Sequence, residues 1–266
     1  MREQVNYLLS RQPRIYESIL RLRGDVNFEK ILFLNVVGNG DVVFDVGANR
    51  GYYTVLFSHL VGKRGQVHAF EPVPTTFSRL SSGLAARKKF DNVYLKRAAV
   101  GDVAARRADV YLPGEDDGQA SLKKHAAGSW ETAGTIKNFE CEIIRLDDYI
   151  SSKRLERLDF IKCDIEGAEL LALRGAAECL TKFAPMLYLE VCPDWTKSFG
   201  YNPAEISQYL SGFGYSEFYL VKNGLRRLEN PAVELTAEKL VGSANLLCGH
   251  YGLHSHRIFG LARKQR

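Results

Sequence analysis

Residues 41–72 restrict the possible folds more tightly than any other stretch of the chain. An apolar run, Val42-Val43-Phe44, ends in Asp45-Val46-Gly47-Ala48-Asn49-Arg50-Gly51; a helical pattern follows, and a second apolar run, Val67-His68-Ala69-Phe70, closes on Glu71-Pro72. The order reads as strand, glycine-bearing turn, helix and strand. Glycines at a strand end let the backbone approach a ligand where a Cβ would collide, and they adopt unusual dihedrals at low steric cost. A helix opening near Gly51 points N–H groups toward the same place. Glu71, at the tip of the neighbouring strand, can accept hydrogen bonds from both hydroxyls of a ribose. It falls 20 positions after Gly51, close to the spacing of ~20 expected of a ribose-binding carboxylate. The arrangement is that of a nucleoside pocket.

A dinucleotide fingerprint would read G-x-G-x-x-G, its second glycine making room for a pyrophosphate. Here the spacing is G-x-x-x-G, with Asn49 in the place of the middle glycine. Asp45, just before the turn, sets negative charge where a phosphate would lie and suits an ammonium instead. A nucleoside with a ribose, an ammonium and a carboxylate but no phosphate is S-adenosylmethionine. On this reading Asp45 faces the ammonium and backbone N–H groups near Gly47–Gly51 take the carboxylate. The cofactor-binding set is Asp45, Gly47, Ala48, Asn49, Gly51, Tyr52, Glu71, Pro72 and Asp164. The glycine spacing alone also fits an ordinary tight turn; the flanking Asp45 and Glu71-Pro72 separate the two readings.

Beyond this unit the pattern alternates. Strands are expected at 42–46, 66–70, 93–97, 158–163, 186–191, 215–220 and 244–248, with helices at 51–61, 75–88, 167–180 and 203–212. Strands alternating with helices imply an α/β fold with a mostly parallel sheet covered on both faces. No clear helix separates 215–220 from 244–248, so these two should pair antiparallel. Residues 109–112 and 141–144 look extended, and between them a polar, Gly-rich loop spans about 114–138. Loops of that length commonly serve as lids or binding loops. Residues 1–35 read as one or two amphipathic helices, with Tyr16, Ile19, Leu20 and Leu22 on one stripe and Phe28, Ile31, Leu32 and Leu34 following. They should pack against the main domain and help cover the cofactor.

A second constellation follows strand 158–163, which delivers Lys162 and then Asp164-Ile165-Glu166-Gly167-Ala168-Glu169 at its carboxyl end. Ligands bind outside those ends in open α/β sheets. Methyl transfer from a sulfonium asks for alignment and a group to accept the departing proton. Asp164 is the first candidate for that base, with Lys162 or Glu166 positioning substrate. Alternatively Asp164 and Glu190 hold a divalent cation that acidifies a hydroxyl, although no metal site is assigned. The plain structural reading is that Asp164 caps the next helix and Glu166 and Glu169 favour its N-terminus. His250, His254 and His256 match no common zinc spacing and lie near a terminus expected to fray. Trp195, Phe199 and Tyr201 fit either a substrate wall or core packing.

The net charge of +5 is modest and scattered, and no basic cluster interleaves with aromatics, which disfavours a nucleic-acid partner. Cys141, Cys163, Cys179, Cys192 and Cys248 form no C-x-x-C pair and sit mostly in apolar runs, as reduced thiols of a cytoplasmic protein would. Neither a secretion signal nor a membrane span is expected.

These residues resemble the FkbM family of S-adenosylmethionine-dependent methyltransferases. The resemblance rests on Phe44-Asp45-Val46-Gly47-Ala48-Asn49-Arg50-Gly51-Tyr52-Tyr53, Phe70-Glu71-Pro72, Ala99-Val100-Gly101-Asp102 and Leu146-Asp147-Asp148-Tyr149. Its most specific block is Asp159-Phe160-Ile161-Lys162-Cys163-Asp164-Ile165-Glu166-Gly167-Ala168-Glu169. It runs from about 40 to 248, and implies a seven-stranded, Rossmann-like class I methyltransferase sheet with a terminal antiparallel hairpin. It further implies methylation of a hydroxyl on a sugar, polyketide or related natural product. Cys163 departs from the family's more usual β-branched residue, a change that bears on packing. By the same resemblance Gly118-Gln119-Ala120-Ser121-Leu122 falls where the family has a small-residue loop near the site. The expected division is an N-terminal helical extension (1–38), a methyltransferase domain (39–250) and a basic C-terminal tail (251–266). Alternatives are an RNA or protein methyltransferase, an NAD(P)-dependent oxidoreductase, and a non-catalytic binding protein on the same fold.

Overall fold

The structure is a computed structural model, and it describes residues 27–86, 90–114 and 117–262. Those residues form strands β1 (Val42–Val46), β2 (Gln66–Phe70), β3 (Val93–Lys96), β4 (Ala99–Val100), β5 (Ala105–Pro113), β6 (Ile136–Ile144), β7 (Phe160–Cys163), β8 (Met186–Val191), β9 (Glu217–Val221), β10 (Leu225–Arg227) and β11 (Ala244–Gly249). The main sheet runs β10-β9-β11-β8-β7-β1-β2-β3. From β3 to β8 every pairing is parallel, while β11 inserts antiparallel between β8 and β9. The class I methyltransferase plan expected from the sequence is therefore present, with one strand more. The eighth is β10, three residues that fold back on β9 with Leu225 opposite Val221; a segment that short has no readable periodicity.

β1 is buried along its whole length, as an inner parallel strand must be. Alternate residues supply opposite faces: Phe44, Phe70 and Ile161 pack into one core layer, Val43, Val67 and Phe160 into the other. The helix Phe28–Val36 belongs to the second layer. Ile31, Leu32 and Phe33 are fully buried, and the Phe33 ring meets Tyr188 edge-on at 4.8 Å. The stripe of Tyr16, Ile19, Leu20 and Leu22 lies outside the described residues. At the other terminus, the segment expected to fray is a helix, Tyr251–Ala262, docked on Phe28–Val36. Arg257 fastens it, donating to the Val36 carbonyl (2.9 Å) and to Asp41 (2.8 Å). His254 Nδ1 accepts from the His250 backbone N–H at 3.0 Å, so that pair closes a helix start and does not build a metal site.

A second sheet, β4-β6-β5, covers the carboxyl ends of β1 and β2. β5 and β6 form a long antiparallel pair, and of the expected 114–138 loop they take only residues 136–138. β6 starts at Ile136, Ser121 pairs with Tyr111, and Ser129–Thr132 make one helical turn. The helix expected over 167–180 is two, Glu169–Arg174 and Ala177–Phe183. They divide at Gly175, where a Cβ would lie 2.1 Å from the Gly101 carbonyl oxygen. Among the described residues no helix is long and apolar enough to cross a membrane.

Candidate active site

The carboxyl ends of β1, β2 and β7 enclose a cavity of about 630 Å³, counting the space at its open mouth. Gly47, Asn49, Glu71, Pro72, Asp164 and Glu166 stand on its wall. The remainder is apolar or small: Phe70 from β2, Ala99 and Val100 from β4, Val110 from β5, and Gly118, Ala120 and Leu122 from the segment after β5. Of the sequence-derived site residues, Asp45, Ala48, Gly51, Tyr52 and Lys162 do not reach that wall. Tyr52 is 55% exposed, with Lys30 over its ring.

Gly47 is where the turn has no freedom. Its φ is +79°, and a Cβ there would sit 1.9 Å from the Asp164 carbonyl oxygen. The β1 and β7 ends touch backbone to backbone through it, with the Asp164 N–H donating to the Val46 carbonyl at 3.1 Å. The turn amides are mostly committed. Gly47 and Ala48 donate to the Phe70 carbonyl (3.1 and 2.9 Å), Asn49 to Glu71 Oε2 (2.9 Å) and Gly51 to the Ala48 carbonyl (2.9 Å). Of the N–H groups expected to take a ligand carboxylate, these four are engaged within the protein: three brace the turn against the end of β2, and the Gly51 N–H closes the turn on itself. Glu71 is braced in return, its Oε1 accepting from the Val73 N–H at 2.9 Å.

Behind the wall lies a buried charge cluster. Asp45 and Lys162 are register partners on β1 and β7, with exposures of 1% and 2%. Lys162 Nζ is 3.0 Å from Asp164 Oδ2 and 4.0 Å from Asp45 Oδ1, under the Tyr53 ring at 5.2 Å. Burial opposes its charge, but the two carboxylates outweigh burial and hold the ammonium protonated above the ordinary lysine range. Asp45 Oδ2 accepts from Thr54 Oγ1 at 2.6 Å, whereas Oδ1 is buried without a hydrogen-bond partner. Burial pushes the Asp45 carboxyl up, with Lys162 and Thr54 pulling it back. Lys162 therefore bridges two carboxylates from beneath, and is not the substrate-contacting group the sequence suggested.

Asp164, Glu166 and Glu190 converge, each offering an oxygen within 4.8 Å of the others, a grouping that could hold a cation. Glu190, at the end of β8, accepts from Ser243 through Oε1 (2.5 Å), while Oε2 is buried without a partner. Burial, and then the charge of Asp164, push its carboxyl up to about 8. Glu169 has a structural role: its Oε1 accepts from the Ile165 N–H (2.9 Å) and the Gly167 N–H (3.3 Å), and burial raises it to about 7.

Two participants were not read from the sequence. Glu29, in the first turn of Phe28–Val36, accepts from Tyr53, from Tyr188 (2.6 Å) and from Asn245 (2.7 Å), so this helix orders the ring that covers Lys162. Its acidic position in a first turn was visible; its partners were not. His125 sits behind the cavity roof, where no histidine was expected.

A family model described as the methyltransferase FkbM domain matches residues 45–217. The 31-O-demethyl-FK506 methyltransferase FkbM of Streptomyces tacrolimicus is 29% identical over 161 residues, covering 52% of this chain and 60% of that protein. The 2-O-methyltransferase NoeI of Sinorhizobium fredii is 28% identical over 194 residues, covering 66% and 74%. The hexuronic acid methyltransferase AglP of Haloferax volcanii is 27% identical over 161 residues, covering 60% and 59%. The chain thus spans under two thirds of the length of the first and third of these relatives.

Proposed function

The chain belongs to the FkbM methyltransferase family, and from that premise we propose that it transfers a methyl group from S-adenosylmethionine to a hydroxyl of a small molecule, such as a sugar or polyketide. The observation that carries the reading is the pairing of Glu71, braced on the cavity wall, with the unpartnered buried oxygen of Asp45 one residue behind Val46. Both suit a nucleoside that bears an ammonium. The turn amides, already committed to Phe70 and Glu71, leave little to cradle a pyrophosphate. Glu71, Asp164 and Glu166 on the wall, with Glu190 beside Asp164 and Glu166 and with Asp45 behind, outnumber the charge of Lys162, so the site favours a cationic ligand and repels a phosphate.

When bound, the cofactor supplies a methyl group already activated on sulfur, so that alignment accounts for much of the rate. Glu71 would hold the ribose hydroxyls, and Asp45, buried behind the wall, would favour the ammonium by its charge without touching it. Asp164, on the cavity wall, would take the proton of the acceptor hydroxyl. Lys162 acts through Asp164 and Asp45, fixing both carboxylates without touching substrate. Two of the relatives are named for O-methylation and one for a hexuronic acid, which supports an oxygen acceptor. The test is a labelled-methyl assay with glycosides, polyketides and lipids as acceptors. Label appearing in an alkali-stable methyl ether supports the proposal; label found only in RNA or protein contradicts it.

A further inference from the structure

Asp45, Lys162 and Tyr188 are register partners on β1, β7 and β8, so they form one row on the face of the sheet that the helix Phe28–Val36 covers. Glu190, two positions beyond Tyr188, shares that face, and Asn245 of β11 stands opposite it. Three donors from three elements converge on the Glu29 carboxylate of the covering helix: Tyr188 (2.6 Å) and Asn245 (2.7 Å) on Oε1, and Tyr53 on Oε2. Glu29 and Asn245 both lie outside residues 45–217, which the family model matches. Tyr53 brings its ring over Lys162 Nζ, 5.2 Å from the centroid, with Phe33 edge-on at 5.2 Å and Phe57 stacked at 6.2 Å. The ammonium lies nearer Asp164 (3.0 Å) than Asp45 (4.0 Å), although Asp45 Oδ1 is buried and has no hydrogen-bond partner. Attraction is screened less at Asp45, whose side chain is 1% exposed against 39% for Asp164, so charge alone would draw the ammonium the other way. The Tyr53 ring is a further contact that fixes it, since a cation is drawn to an aromatic face.

We propose that Glu29 is a positioning residue: by holding the Tyr53 hydroxyl it keeps that ring over the Lys162 ammonium, and the ring keeps the ammonium on Asp164. The carboxylate assigned to the acceptor's proton is thereby held in place from a helix that does not reach the cavity wall. Without the Glu29 acceptor the Tyr53 hydroxyl must turn to find another partner, because a polar group left unmet in the interior is costly. The ring then leaves Lys162, the ammonium moves toward the unpartnered oxygen of Asp45, and Asp164 loses its fixed donor. A misplacement of about 1 Å, caused far from the reacting atoms, can cost about a hundredfold in rate. The effect on rate rests on the methyl-transfer reading; the coupling of Glu29 to Lys162 does not.

Magnetic resonance of the full chain, with lysine enriched in carbon-13 at Cε, tests this. The Lys162 methylene, beneath an aromatic ring, should resonate upfield of exposed lysines and is identified by its loss in Lys162→Met. Tyr53→Leu removes the ring and marks where an uncovered Lys162 resonates. Glu29→Gln, left with one acceptor oxygen for three donors, should move the signal most of the way to that mark, with far-UV ellipticity unchanged. Glu29→Asp, one methylene short of Tyr53, should move it in the same direction. In a Tyr53→Phe background, where the hydroxyl is already gone, Glu29→Gln should move it no further. A signal that keeps its wild-type position in both Glu29 variants, or one that Glu29→Gln still moves in the Tyr53→Phe background, overturns the proposal. In the labelled-methyl assay Glu29→Gln should lower kcat about tenfold to a hundredfold, with KM for S-adenosylmethionine held within about twofold; a moved signal with kcat unchanged also overturns it. No labelled acceptor and no binding of S-adenosylhomocysteine, with the signal moving as expected, leaves the coupling supported and refutes the methyl-transfer reading alone.

Discussion

Replacing Lys162 by methionine isolates the charge cluster behind the cavity. The apolar stem is retained and the ammonium removed, leaving Asp45, 1% exposed, with Thr54 as its hydrogen-bond donor. Breaking a buried pair by removing one partner costs about 3–5 kcal/mol. Asp45 can limit the loss by taking up a proton, since burial already raises its pKa and Lys162 no longer lowers it. A carboxyl whose folded pKa exceeds its unfolded value of about 3.9 binds more protons folded than unfolded, so the variant should lose stability as pH rises through that interval, by up to ~1.4 kcal/mol per unit. Urea denaturation followed by ellipticity between pH 4.5 and 8 measures this directly. The variant should approach wild-type stability at the acid end and fall about 3–5 kcal/mol short near neutrality. Asp45→Asn in the same background should recover much of the difference. A loss under about 1 kcal/mol at neutral pH, with no added pH dependence, would refute the claim that Lys162 neutralises Asp45.

Glu190→Gln should stabilise the protein, because the wild-type carboxyl, raised to about 8 by burial and Asp164, resists ionising in the folded state. The gain should reach about 2–3 kcal/mol near pH 7 and vanish by about pH 4.5, in the same denaturation series. Gly47→Ala meets the Asp164 backbone at 1.9 Å with φ +79°, and should cost about 2–5 kcal/mol from left-handed strain and overpacking together. Gly51→Ala, obstructed at 2.3 Å by the flexible tip of Leu80, should cost less; thermal melts of the two variants, read side by side, check the order.

What could be read in advance followed from local periodicity. The bounds of β1, β2 and β8 were legible because apolar runs there end in a glycine or a carboxylate. The same logic placed Glu71 and Asp164 on one cavity wall from different strands. Contacts set by tertiary placement were not legible. Glu29 meets Asn245 across 216 positions and Tyr188 across 159, and no pattern in the sequence joins them. β4, two residues long, supplies Ala99 and Val100 to the cavity without a period to reveal it. His125 lies in a polar stretch whose only advance signal was its length. The turn amides read as ligand donors because their glycines implied room for a ligand; the carbonyl of Phe70 takes that room instead.

Titration calorimetry of S-adenosylhomocysteine against the wild type, Glu71→Gln and Asp45→Asn, with NAD in a parallel run, bears most directly on the proposed pocket. Hydrogen bonds to a charged group are worth about 1.5–3 kcal/mol, so Glu71→Gln should weaken binding by about tenfold to a hundredfold; Asp45→Asn, acting from behind the wall through charge alone, should weaken it less, and NAD should bind far more weakly than the thioether nucleoside. Equal affinity in all three proteins, or a preference for NAD, would mean that the acids at the ends of β1 and β2 do not grip a phosphate-free nucleoside.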